Sequence, residues 1–212
     1  MGTVRGMAAP PTVDRLRTYA MEHVAYEVAA LVDQVQRLAA VRDDVLANAL
    51  LESSLTHIRV LDDFFRYEAE RLPPACMDCG YQSPNPTNDD VTARHYLATW
   101  DVTDPEHRVL TSGLRKRLNA QLPHLALRRT GNEPWSIGPL AIRTCKIVLA
   151  FVGQLRAADA DRAAWFDKAT LRAVELTRPG PALTAVNTLV ASTTSFSSAP
   201  TVSRFLPQPP TR

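Results

Sequence analysis

The stretch TVDRLRTYAMEHVAYEVAALVDQVQRLAA, residues 12–40, decides the fold class. It contains no glycine or proline, and Thr12 stands where a helix N-cap belongs. Leu16, Tyr19, Val24, Val28, Leu31, Val35 and Leu38 recur at mixed steps of three, four and five. A long helix packed along one side leaves that pattern. A second helix is expected from about Arg42 to Arg71, again without glycine or proline.

Beyond it the chemistry changes. LPPACMDCGYQSPNPTNDD, residues 72–90, is rich in Pro, Cys, Asn and Asp and reads as a loop, whose Asp89 and Asp90 would cap the short segment that follows. VTARHYLATW is a helical turn or an extended piece. A third helix is expected from Pro105, a good first-turn residue, with His107 exposed beside it, and a fourth follows the RRTGNEP turn to about Leu155. Asp159 or Asp161 would cap a fifth, which stops at Pro179–Gly180. No convincing strand pair is visible. The expected architecture is an all-α bundle of four or five helices over residues 12–178. A disordered head at 1–11 and a Pro/Ser/Thr-rich disordered tail at 179–212 would flank it.

Bulk properties narrow the function classes. A chain of 212 residues suffices for one domain with a sizeable core. A net charge of +2 supplies no global attraction to nucleic acid or membrane. Of 24 basic residues only Lys116, Lys146 and Lys168 are lysine, a bias typical of GC-rich genomes, so arginine number is no evidence for RNA. Three cysteines do not make a disulfide scaffold and point to a reducing, cytoplasmic setting. No signal-peptide core is present, and Gly6 breaks a myristoylation motif at Gly2. The apolar run from Ile137 to Leu155 carries Arg143, Lys146 and Gln154, which predicts a core helix and no membrane span. No cofactor is expected.

Cys76 and Cys79 form a Cys-x-x-Cys in the loop. Structural zinc needs four ligands; Cys145 lies on a predicted core helix and His95 is the only nearby candidate, so no metal is expected. Phosphate-binding Gly-rich loops, Gly-x-Ser-x-Gly and zinc-protease motifs are missing from the sequence.

Two polar groups interrupt apolar surfaces. On the second helix, Leu51, Leu55, Ile58, Leu61, Phe64 and Phe65 fill a wide arc, while Glu52, Thr56, Arg59, Asp63 and Arg66 line the far side as a solvated, salt-bridged stripe. His57 and Asp62 point into the apolar arc near its edges. Each needs a hydrogen-bond partner there or costs roughly 1–3 kcal/mol. A satisfied core histidine meets that need. So does an arc wide enough to pack on a second subunit, with His57 near a shared cleft.

On the third helix, Arg117, Gln121 and His124 fall at i, i+4 and i+7, beside an apolar stripe of Leu110, Leu114, Leu118, Leu122 and Leu125. Arg117 and His124 would stand about 10.5 Å apart along the axis. The histidine could take a proton from an RNA 2′-hydroxyl and the arginine could hold the phosphate, without metal. The spacing itself carries no weight. A chain this rich in arginine produces about 1.5 Arg–(four to six residues)–His matches by chance, and this one holds a second, Arg17 with His23. Pro123 also clashes with the Asn119 carbonyl, so the helix kinks or ends at Leu122.

Four segments taken in order carry more information. NALLESSLTHIRVLDDFF (48–65), NDDVTARHYLATW (88–100), RLNAQLPHLALRRT (117–130) and PWSIGPLA (134–141) resemble a family of uncharacterised bacterial helical proteins. That family is similar to the HEPN superfamily, whose helical bundles often dimerise and act as metal-independent ribonucleases. The resemblance covers about half of the chain. It implies a homodimer that binds or cleaves RNA, with Arg117 and His124 as the catalytic pair and Asn119 or Gln121 orienting them. His57 and Arg59 would complete the substrate site from the second helix. Leu118 stands where the active pattern has a polar residue. A non-catalytic helical interaction protein using the same polar cluster is the alternative.

Overall fold

The structure, a computed structural model, describes residues 11–66, 91–121 and 134–179, with the backbone of 75–76 and 81–82. The expected head and tail, the end of the second helix, most of the Cys-containing loop and the stretch from Leu122 to Leu125 lie outside the described residues.

The opening stretch forms one continuous rod. Helix α1 (Val13–Thr18) passes through a π-helical segment (Tyr19–Val24) into α2 (Ala25–Ala40), with helical backbone angles at both junctions. The Thr12 side chain accepts the Arg15 N–H, as the sequence predicts. The buried residue before Val24 is Ala20, one place after the half-buried Tyr19. Leu16, Ala20, Val24 and Val28 are buried at steps of four.

A short link leads to α3 (Asp44–Arg66), whose first turn is closed by Asp43 accepting the Leu46 N–H at 2.7 Å. Within residues 72–90, β1 (Ala75–Cys76) pairs antiparallel with β2 (Tyr81–Gln82), a two-residue ladder that the sequence pattern did not predict. A run of two residues is too short for alternation to register. The third helix is also shorter than expected. Pro105–His107 is a single 3-10 turn capped by Asp104, and α4 (Ser112–Gln121) begins seven residues after Pro105. Proline suits a first turn, but Arg108 at its end is extended, so the turn does not propagate. Helix α5 (Ile137–Ala158) leads to α6 (Ala160–Ala163), a 3-10 turn (Ala164–Phe166) and α7 (Asp167–Thr177). Asp159 caps this last group by accepting the Arg162 N–H.

Helices α2, α3, α5 and α7 pack together as the core, and α4 lies outside against α3. Aromatic rings fill the centre: Phe151 meets Phe64, Phe65, Trp100 and Phe166 with centroids 5.3–5.8 Å apart. Such edge-to-face packing suits the ring quadrupoles. The segment 91–100 is bolted across the bundle. Trp100 donates its indole N–H to the Phe65 carbonyl, and Tyr96 donates its hydroxyl to Leu16 at 2.7 Å. Burial pushes the Tyr96 hydroxyl upward, keeping it a donor. By length and composition α5 could cross a membrane, but most of its apolar surface is buried inside the bundle, as the charges along it predict.

Candidate functional site

Helix α3 sends its two buried polar residues to different neighbours. His57 and Asp62 are five residues apart, which at about 100° per residue turns them roughly 140° from one another. His57 meets α2. Its Nδ1 lies 2.6 Å from Glu27 Oε2 and its Nε2 lies 3.2 Å from the Gln34 amide nitrogen. With Gln34 donating, Nε2 accepts and Nδ1 carries the proton given to Glu27. Tyr26 closes on the ring edge-on at 5.7 Å. Both ring nitrogens are therefore engaged by one adjacent helix, and no lone pair is left for a substrate proton.

Asp62 faces the other way and is fully buried. Its Oδ1 accepts the Leu110 N–H at 3.0 Å, and its Oδ2 accepts from Arg66 at 3.1 Å and from Arg115. Arg66 in turn donates to the Leu110 carbonyl, so both backbone groups of Leu110 are held from α3. Arg115 spans to Asp63 as well. Burial raises the Asp63 carboxyl, opposed by the Arg115 charge and then its hydrogen bond, and Arg59 adds a weaker lowering. The expected solvated stripe is thus only partly that: Asp63 and Arg66 are built into the α3–α4 junction.

Arg117 is half-buried. Its guanidinium lies over the Trp135 ring at 4.0 Å and near the Pro134 carbonyl at 3.4 Å, which joins α4 to the start of α5. Asn119 is 4% exposed and points into the protein, beside Leu118 at 0%. Gln121 ends α4, and its side chain lies outside the described residues, as does His124. The structure brings Arg117 and Asn119 onto one helix against the bundle. It directs His57 instead to Glu27 and Gln34 on α2.

The remaining sequence candidates are also placed. His95 takes the Thr92 N–H on Nδ1 at 3.0 Å, so the short segment is closed by Thr92 and His95; Asp89 and Asp90 lie outside the described residues. His107 was expected to be exposed, but its ring stacks on Trp100 at 3.8 Å and donates Nδ1–H to the Asp101 carbonyl. The Cys145 thiol is buried, and burial pushes it up to about 12. The side chains of Cys76 and Cys79 lie outside the described residues. Among the described residues no three His, Cys, Asp or Glu side chains gather as a metal would require.

Sequence reasoning found His57 and Asp62 but missed their partners. The spacing of Asp62 and Arg66 at i, i+4 was the one available local signal. Glu27, Gln34 and Arg115 lie 30, 23 and 53 residues from the groups they serve. Comparison of the chain with family models, curated proteins and solved structures returns no match.

Proposed function

We propose that this chain is a HEPN-like helical interaction module that forms a homodimer and performs no chemistry through His57. The observation that carries this reading is the outer face of α3. Val45, Leu46, Ala49 and Val60 are exposed there, beside the polar Glu52, Thr56 and Arg59, with Val45 at 61% and Leu46 at 50%. The inner arc of the same helix packs on the bundle. Apolar residues on both sides of α3 suit a helix that meets its own core and a second copy. The engagement of His57 and Asp62 inside the fold supports the same reading, since these groups tie α3 to α2 and to the segment before α4.

Sedimentation equilibrium of the full chain tests it. Wild type should be dimeric at micromolar concentration, and Leu46→Glu with Val60→Glu should be monomeric while keeping its helical circular dichroism. A monomeric wild type at high concentration would sink the proposal.

A second reading keeps RNA as the partner, favoured by the Arg117 guanidinium held half-exposed against Trp135. It predicts metal-free cleavage of single-stranded RNA that is lost in both Arg117→Ala and His124→Ala. Background rates in all three proteins would dispose of the ribonuclease.

A further inference from the structure

A groove separates the 105–107 turn from the first half of α5. Its volume is about 480 Å³, and Glu106, His107, Ile142, Arg143, Lys146 and Ile147 are among its lining residues. A space of this size suits a small organic ligand. Ile142 and Ile147, 7% and 3% exposed, supply an apolar floor. Above it stand two cationic groups of different kinds.

Arg143 is held before any ligand arrives. Its Nε donates to the Arg108 carbonyl at 2.9 Å and one terminal nitrogen donates to the Pro105 carbonyl at 2.8 Å. These bonds use two of the five guanidinium N–H groups and leave the others for an acceptor. Lys146 lies one turn further along the helix and is exposed. Its helix neighbours at three and four residues are Arg143, Leu149, Ile142 and Ala150, so no local carboxylate neutralises it. Helix α5 contains no acidic residue at all. His107 is fixed on the opposite wall by its stack on Trp100 and its bond to Asp101. One carboxylate, Glu106, faces these groups from the turn, and it forms no ion pair with Arg143 or Lys146 among the described residues.

We propose that this groove is a binding site for a small organic oxyanion, a phosphate or carboxylate carried on an apolar body. Arg143 and Lys146 hold the oxyanion, and Ile142 and Ile147 hold the body. Fixing Arg143 through backbone carbonyls lowers the ordering cost of binding, because the guanidinium is already held in place at the groove.

The test is a chemical-shift titration of the full-length protein with phenyl phosphate, and separately with benzoate, at constant ionic strength. Saturable shifts confined to the amides of 106–108 and 140–150 are expected with at least one probe. The tighter of the two identifies the headgroup. Lys146→Gln, an exposed change that leaves the spectrum otherwise intact, should weaken that binding roughly tenfold. Inorganic phosphate should bind more weakly than phenyl phosphate, since it does not cover the apolar floor. The proposal is overturned if neither probe saturates at about 20 mM, if the shifts map elsewhere, or if Lys146→Gln binds like wild type.

Discussion

Asp62 on α3 accepts the backbone N–H of Leu110, 48 residues further along the chain, at 3.0 Å. This bond holds the segment before α4 to the core. It also places a buried carboxylate between two arginines. Removing the carboxylate leaves Arg66 and Arg115 without their shared acceptor and orphans the Leu110 amide. Asp62→Ala should therefore cost about 3 kcal/mol, within the range for breaking a buried pair. The melting temperature should fall by roughly 6–12 °C. Asp62→Asn, which still accepts from Leu110, should lose less. Thermal melts of the two variants check the order, and equal losses would remove the backbone bond from the explanation.

The exposed stripe on α3 makes the opposite prediction for stability. Leu46→Glu and Val60→Glu lie on the solvent side, so each isolated chain should change by no more than about 0.5 kcal/mol. Their effect should appear in association alone. Urea unfolding at low and high protein concentration separates the two, because only a dimer has a midpoint that depends on concentration.

Cys145 is buried under the bundle and its thiol is pushed up to about 12. In a Cys76→Ser, Cys79→Ser background it should not react with an aromatic disulfide reagent at pH 8 until the protein unfolds. A raised pKa stabilises the fold through the neutral thiol. That contribution is complete below the unfolded value of 9.0 and is lost as pH rises toward about 12. Cys145→Ala should flatten the alkaline loss of stability.

His95 works in the acid direction. Burial lowers its pKa from 6.5, and Nδ1 must be unprotonated to take the Thr92 N–H. The neutral ring stabilises the fold above the unfolded value, and the contribution is lost as pH falls through the lowered one. His95→Gln should reduce the dependence of stability on pH below 6.5. An unchanged acid limb would show that other groups govern it.

Much of this is legible in the sequence. The helix run from Thr12, its cap at Thr12, a cap at Asp159 or Asp161, and the need of His57 and Asp62 for partners all rest on local rules; the structure chose Asp159. The start of α4 was not legible, because Pro105 is a good first-turn residue for either a short turn or a long helix. Nor was the burial of Asn119, which depends on how α4 lies against α3.

The sequence by itself determined the helical class and which side of each helix is apolar, because periodicity and capping act within a turn or two of chain. Only the tertiary structure decided which neighbour each polar group meets. His57 turns to Glu27 and Gln34, Asp62 to Leu110 and Arg115, and Arg117 to Trp135. The reason is geometric: a helix wheel gives the direction of a side chain from its own axis, and the packing of the other helices supplies what waits there.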